Sequence, residues 1–408
     1  MILFLIFTIP AGAEKGYIQI TPVNRILFLS SFGFTENSNF HFELSSNLPM
    51  KINIFLFSPS ELHNVTSKQV HASCFNRYNE IALLNKTSNV SKAQYFWNGT
   101  ITSQNIYYPT LMICSDTFSS FAIRYKFVNS KYLIDFRDEN NSIVYFSFCI
   151  VNMILGIIWI FNLIRYHEFS IPLNQFVAIL PVIKSVSNAL IASEWEQKKV
   201  TDDFSIKSHL SFYCSTIFYV LLMSSTTFGF SGWCIYRMDV GIYEKMQVIG
   251  SSLFFVTGIM IGTLASDNFT ALAPMLLTSV GFLWYMKVNA TYLATLVQLV
   301  ESNIENERMK LRIKLVQKFS GTSFGLICLI MLVQSGAVTL NMWPIAGTIV
   351  FESGVVAIEV VEIYFFMLRD QFKGENEAIA TNDTPIVLIE PQKQTFVIVS
   401  VNKDDESV

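Results

Sequence analysis

Seven long apolar runs follow a more polar N-terminal region, and this pattern predicts an integral membrane protein. The runs span residues 143–164, 171–193, 208–236, 246–265, 271–299, 319–340 and 344–368. Each reaches the ~20 residues that a helix needs to cross the hydrocarbon core of a bilayer. No water is present there to satisfy peptide groups, so each crossing is expected to be a helix. We number them crossings 1 to 7.

Shorter runs before the crossings predict a β domain, which we call the head. Phe40, Phe42 and Leu44 alternate with His41 and Glu43, the period of a half-buried strand. Candidate strands are found at 17–21, 25–34, 39–44, 51–57, 94–102, 110–114, 121–128 and 131–136. Seven or eight short strands separated by polar turns favour a small all-β sandwich. Residues 64–92 are expected to form a long loop within it.

Composition agrees with a membrane protein, because 51% of the residues are hydrophobic and only 14% are charged. A soluble domain carries about 25% charged residues. The net charge of −3 gives no reason to expect nucleic acid binding. The predicted division is a signal peptide at 1–13, a lumenal sandwich at 14–141, a seven-helix bundle at 142–369 and a cytosolic tail at 370–408.

The signal peptide is predicted from a short apolar run that ends in small residues. Met1–Pro10 is apolar, and Ala11-Gly12-Ala13 is typical of a cleavage site. The first residues lack a positive charge, so an uncleaved anchor is the alternative. Cleavage would place the new N-terminus and the head in the lumen of the secretory pathway.

Charge and glycosylation patterns support the same orientation. With the head lumenal, the cytosolic loops and the root of the tail carry ten basic residues and the short lumenal loops only three, as the positive-inside rule requires. Four Asn-x-Ser/Thr triplets in the head predict N-glycosylation. They begin at Asn64, Asn85, Asn89 and Asn98.

The six cysteines divide between the head and the crossings. Cys74 and Cys114 are the two in the head, and two thiols in an oxidising compartment predict a disulfide. Two free thiols are the alternative. The other four lie in crossings, where cysteine usually serves as a packing residue.

Short motifs along the chain resemble those of the lung seven-transmembrane receptor family, part of the wider GOLD-domain seven-transmembrane group. Crossing 2 carries Leu180-Pro181 followed by Lys184-Ser185, similar to the Leu-Pro-x-x-Lys-Ser signature of that family. Three further matches are Phe32-Gly33-Phe34 in the head, Gly232-Trp233 in crossing 3 and Phe351-Glu352-Ser353 in crossing 7. The resemblance covers about 15–370, while 64–92 and the tail match nothing in the pattern.

The resemblance implies a GOLD-like head on seven crossings, in a protein that assists trafficking of membrane cargo through the Golgi and endosomes. The expected partners are membrane lipids, a lumenal protein or lipid cargo, and a cytosolic trafficking factor that binds the tail. The competing hypothesis is a ligand-gated receptor or cation channel that uses charges within the crossings. A cleft that opens sideways to lipid would favour cargo or lipid handling, and a continuous hydrated path would favour a channel.

Charged residues within crossings are the best functional candidates, because a charge in the bilayer is costly unless it is paired or hydrated. With a rise of ~1.5 Å per residue, Lys184 and Glu352 share a depth, and so do Lys287 and Glu359. They are either structural ion pairs between crossing 7 and crossings 2 and 5, or the polar wall of a cavity. Glu362 is expected at the cytosolic rim, without an evident partner.

Other chemistry is not indicated by the sequence. No metal-ligand set, nucleophile set or glycine-rich phosphate loop is evident, so we expect neither an enzyme nor a cofactor or metal. Crossing 3 ends in Tyr236-Arg237-Met238-Asp239, and crossing 7 has no Asn-Pro-x-x-Tyr. Both switch elements of rhodopsin-type receptors are therefore missing, and seven helices alone do not imply G-protein coupling.

The first testable prediction is the topology. Enzymatic deglycosylation should increase the electrophoretic mobility of the protein, because the head sequons would be modified in the lumen. A protease added outside sealed vesicles should remove only the tail, which immunoblotting of both ends would measure. A C-terminus protected from that protease would contradict seven crossings with a lumenal head.

Overall fold

In the part of the chain that it describes, the computed structural model shows a β head followed by seven long helices. It describes residues 15–20, 26–29, 31–46, 50–67, 84–90, 95–113, 121–167, 170–201, 206–235, 240–262, 272–301, 307–339 and 344–366. The predicted signal peptide at 1–13, the Cys74–Cys114 bridge and the tail at 370–408 lie outside these residues.

The described part of the head contains nine strands in two antiparallel sheets. They are β1 (Lys15–Ile20), β2 (Ile26–Phe28), β3 (Phe32–Phe34), β4 (Ser38–Ser46), β5 (Met50–Phe57), β6 (Leu84–Val90), β7 (Tyr95–Ile101), β8 (Asn105–Ile113) and β9 (Phe121–Val128). One sheet has the order β1-β9-β4-β7, and the other has the order β2-β8-β5-β6 with β3 also paired to β8. A short helix, Pro59–Ser67, follows β5.

The two sheets share one aromatic core, which makes the head a sandwich. The predicted alternation on β4 is confirmed, because Phe40, Phe42 and Leu44 are almost fully buried and His41 and Glu43 are only partly so. Inward residues of β3, β5, β8 and β9 complete the core. Their apolar surface supplies the main driving force for pairing the sheets.

Two sequence expectations about the head were wrong. Residues 131–136 were predicted as a strand but form an irregular link that ends in a 3₁₀ turn, Phe136–Asp138. The region 64–92 was predicted as a loop, yet it contains the end of the short helix and strand β6. Strand β6 pairs with β5 from Met50↔Val90 to Leu56↔Leu84, so long-range pairing decides a strand that is rich in polar residues.

Seven long helices follow the link. They are α1 (Asn141–Arg165), α2 (Pro172–Val200), α3 (Ile206–Ser231), α4 (Ile242–Gly262), α5 (Leu272–Glu301), α6 (Glu307–Thr339) and α7 (Pro344–Phe366). Four stretches among the described residues are long and apolar enough to cross a membrane: Phe136–Arg165, Pro172–Val200, Ile206–Ser231 and Lys310–Ile330. The chain is therefore a membrane protein.

Helices that follow each other in sequence pack side by side, and α7 returns to contact α1 and α2. Helix α3 also contacts α5 and α6, which places it inside the bundle. Many apolar side chains of α1 face outward, with Phe161 and Ile164 66% and 68% exposed. An outward apolar surface of this extent is typical of a lipid-facing helix.

Helix α3 ends where the predicted Gly-Trp motif begins. Gly232 adopts a left-handed φ of 68°, a conformation that costs glycine little because it has no Cβ. The Trp233 N–H then donates to the Phe228 carbonyl at 3.2 Å. The motif therefore stops the helix, whereas the sequence placed crossing 3 as far as residue 236.

A polar junction joins the head to the helices, built around Asn129 and Asp135. The Asn129 amide accepts a hydrogen bond from the Thr35 N–H and donates to the carbonyls of Gly33 and Ile134. Asp135 accepts from the Gly33 N–H at 2.8 Å. Its carboxylate also pairs with Arg137 at 2.5 Å.

The same link contacts the head-side ends of two helices. The Leu133 N–H donates to the Lys199 carbonyl of α2 at 3.0 Å, and the Lys199 ammonium lies 5.5 Å from the ring centre of Tyr132. The 3₁₀ turn packs against α7. The Phe32-Gly33-Phe34 triplet therefore has a structural role: its two rings fill the sandwich core, and its glycine admits Asp135.

Gly33→Ala should destabilise the head and its junction. A Cβ at this position would overlap Asp135 and come within 2.6 Å of the Phe136 ring. Overpacking of this kind typically costs about 1–3 kcal/mol, so thermal unfolding should occur at lower temperature and proteases should cut the 129–140 link faster. Gly347→Ala is the matched control, because a Cβ there meets nothing within 4 Å.

Candidate functional site

Helix α7 carries three carboxylates on one buried stripe. Glu352, Val355, Glu359, Glu362 and Phe366 recur at alternating steps of three and four residues, and all are at most 6% exposed. This spacing places them on one face of a helix. From Glu352 to Glu362 the stripe covers ~15 Å along the axis.

The structure brings Lys184 of α2 into contact with Glu352. The Lys184 ammonium lies 2.9 Å from both carboxylate oxygens, and the side chains are 1% and 3% exposed. The ammonium also donates to the Tyr219 hydroxyl at 3.3 Å. The ring centres of Phe218 and Tyr219 lie 5.1 and 5.2 Å from it, within the range of a cation–π contact.

The Leu-Pro-x-x-Lys-Ser motif positions this lysine. Leu180 and Pro181 are buried inside α2, and proline supplies no N–H, so the carbonyl one turn earlier loses its usual helical donor. One turn later Ser185 donates to the Cys149 carbonyl of α1 at 3.1 Å. The motif therefore packs α2 against α1 on one side and directs Lys184 towards α7 on the other.

The structure does not bring Lys287 to Glu359, so the predicted second pair is not formed. Lys287 is exposed on α5, whereas Glu359 is 1% exposed on α7. Neither Glu359 carboxylate oxygen has a hydrogen-bond partner among the described residues. Shared depth was the basis of that prediction, and depth alone does not tell which way a side chain faces around its helix.

The prediction that Glu362 is a rim residue was also wrong. Glu362 is fully buried, and its Oε1 accepts hydrogen bonds from the hydroxyls of Ser225 and Thr226 on α3 at 2.8 and 3.0 Å. Sequence reasoning missed these hydroxyls and Tyr219. The available signal was the spacing of the α7 stripe, which places Glu362 on the same face as the other two carboxylates.

Three of the four predicted glycosylation sites lie on elements whose backbone is described but whose side chains are not. Asn64 is in the short helix, and Asn85 and Asn89 are in β6, the last strand of its sheet. Asn98 lies on β7, at the edge of the other sheet, and is exposed together with Thr100. Its amide oxygen contacts the His41 ring.

The architecture defines a membrane protein with a β-sandwich head and a buried ion pair between two of its helices. No group of three or more His, Cys, Asp or Glu suited to a metal ion occurs within the described ranges. No protein-family model and no curated protein matches the chain. The family suggested by the short motifs therefore stays a prediction.

Replacing either Lys184 or Glu352 should lower the free energy of unfolding substantially. Replacing both should lower it by less than the sum of the two single losses. Removal of one partner leaves a buried charge and typically costs ~3–5 kcal/mol, so Lys184→Met and Glu352→Gln should each lower the free energy of unfolding. The double variant should recover part of this loss, because no unpaired charge remains. Thermal unfolding of the purified full chain would measure all three.

The matched control is the Glu196–Lys199 pair on α2. These groups are 2.7 Å apart, but Glu196 is 58% exposed, and exposed pairs contribute about 0–1 kcal/mol. Strictly additive losses for Lys184 and Glu352, equal in size to those of the control pair, would contradict a coupled buried pair.

Proposed function

We propose that this chain is a seven-crossing protein of the secretory pathway that assists membrane trafficking by holding a lipid or an apolar segment of a membrane cargo. In this proposal the head is lumenal, the tail is cytosolic, and the protein resides in Golgi and endosomal membranes. The short motifs that resemble the lung seven-transmembrane receptor family suggested this function. One structural observation supports it: an apolar groove at the side of the helices.

The groove lies between α5 and α6 and has a volume of about 210 Å³. Leu296 and Val297 line it from α5, and Gly321 and Phe324 line it from α6. Val297 is 53% and Phe324 40% exposed, so the groove opens outward, towards the side that lipid would occupy. A sideways opening is the feature that favours lipid or cargo handling over a channel.

The size and lining of the groove indicate what it would accept. Binding sites for drug-sized molecules usually have volumes of 300–1,000 Å³, so this groove suits one part of an acyl chain or one apolar side chain. Its walls are mainly Leu, Val and Phe, with Gln317 and Ser320 as the polar members. Burial of each methylene there would contribute about 0.8 kcal/mol.

Gly321→Phe should reduce lipid binding several-fold, because the added side chain would start from a wall of the groove. A Cβ on Gly321 meets nothing within 4 Å. The same is true of Gly325, one turn away and outside the groove lining, so Gly325→Phe is the matched control. Native mass spectrometry of co-purified phospholipid, and binding of a fluorescent acyl probe, would measure the difference.

The same variants test the cellular function. In cells that lack the protein, wild type and Gly325→Phe should restore delivery of a membrane cargo to its compartment, and Gly321→Phe should not. Equal lipid binding by all three would contradict the role of the groove. The competing hypothesis of a channel predicts cation flux through reconstituted vesicles, and flux that persists in Gly321→Phe would favour it.

A further inference from the structure

Glu362 lies at the centre of a buried layer of oxygen atoms in the bundle. Its Oε1 accepts hydrogen bonds from Ser225 and Thr226, but its Oε2 is buried without a hydrogen-bond partner in the described part of the chain. A buried carboxylate oxygen that lacks a donor is costly. The groups that face it therefore indicate what it binds.

Helix α6 contributes Ser323 to this layer. The rings of Phe319 and Phe366 pack with their centres 4.6 Å apart, and a Cβ on Gly354 would lie 2.6 Å from Ile330. These two contacts fix the antiparallel register of α6 against α7, and that register puts Ser323 at the level of Glu362.

A second contact of the same Phe319 ring places Ser323 at the level of Ser225. The Phe319 ring also packs against α3 at Gly229, and one turn from each contact residue are Ser323 on α6 and Ser225 on α3. Ser323 is fully buried, and its hydroxyl has no hydrogen-bond partner within the described ranges.

Helix α5 carries two further buried oxygen atoms. The Tyr285 hydroxyl has no hydrogen-bond partner among the described residues. The Asn289 Nδ2 donates to the Tyr285 carbonyl at 2.9 Å, whereas its Oδ1 is buried without a partner among the described residues. Three helices, α3, α6 and α7, therefore place buried oxygen atoms at the level of Glu362.

The charges of the interior do not balance. The fully buried charged side chains that the structure describes in the helices are Lys184, Glu352, Glu359 and Glu362. Lys184 compensates Glu352 at 2.9 Å, while Glu359 lies one turn from Glu362 on the same face of α7. A carboxyl group in a low-dielectric interior is compensated by a nearby positive charge or by a bound proton, and the described side chains supply no positive charge for Glu362.

We infer that the layer formed by Ser225, Thr226, Ser323 and Glu362 binds a monovalent alkali cation of the size of sodium. Hard cations take oxygen ligands from carboxylates and hydroxyls, which is the set assembled here. The described residues hold no group of three His, Cys, Asp or Glu suited to a metal ion. One carboxylate among neutral oxygens suits a single positive charge better than a divalent ion.

The test is the thermal unfolding of the full chain in lipid nanodiscs, in sodium chloride and in N-methylglucamine chloride at equal ionic strength and pH. Sodium should raise the unfolding temperature, by a shift that grows with the logarithm of its concentration above the dissociation constant and reaches roughly 5 °C at about 100 times that constant. Glu362→Gln should abolish the response. Ser323→Ala, which removes one neutral ligand, should weaken the apparent affinity about tenfold.

Two controls make the outcome decisive. Ser251→Ala removes a buried hydroxyl of α4 that bonds within its own helix, and Glu196→Gln removes an exposed carboxylate; both should keep the full sodium response. An unfolding temperature that ignores sodium at fixed pH, or an equal response in Ser323→Ala and wild type, would overturn the site and leave a layer that binds water or protons only. Ser323→Ala decides the question if Glu362→Gln does not fold.

Discussion

A charge that leaves water must find its compensation inside the protein, and this constraint organises the interior of the bundle. Helix α7 turns Glu352, Glu359 and Glu362 inward. Helix α2 supplies Lys184 to Glu352, and α3 supplies the hydroxyls of Ser225 and Thr226 to Glu362. These contacts hold α2 and α3 at defined positions against α7. The mutual attraction of buried charges is strong only with good geometry, so the carboxylates specify how the helices pack more than they add stability.

The head is attached to the same helices that form the ion pair. Its link bonds to Lys199 of α2 and packs against α7, and these two helices carry Lys184 and Glu352. A shift of the head would therefore act on the two helices whose relative position the ion pair sets. The junction itself is held by buried Asn129 and Asp135, which bond the link to the sandwich.

The two proposed sites use different surfaces of the helices. The groove between α5 and α6 is apolar and opens outward, whereas the proposed oxygen layer around Glu362 is formed by α3, α6 and α7. Helix α6 contributes to both, with Ser320 lining the groove and Ser323 buried one turn away. A ligand in the groove that displaced α6 would alter the layer, which provides a physical route between lipid binding and the buried charges.

The sequence by itself determined most of the secondary-structure elements and which segments of the chain are apolar or polar. Runs of about 20 apolar residues predicted the seven long helices, and the alternation at Phe40–Leu44 predicted a strand of the sandwich. The equal depths of Lys184 and Glu352 along their helices predicted that these two residues could pair. These features depend on local periodicity and on the rise of a helix. Both can be read from the residues of a single segment, without knowledge of what it packs against. The same reasoning missed strand β6, because its pairing with β5 comes from a partner distant in sequence.

Only the tertiary structure decided what each buried charge faces. Lys287 and Glu359 share a depth but not a direction, and Glu362 found its partners on α3 rather than at the membrane surface. The angular position of a side chain depends on how its helix is rotated against its neighbours, and that rotation results from the packing of all seven helices together. A sequence therefore predicts how deep a charge lies, whereas the assembled fold determines which groups surround it.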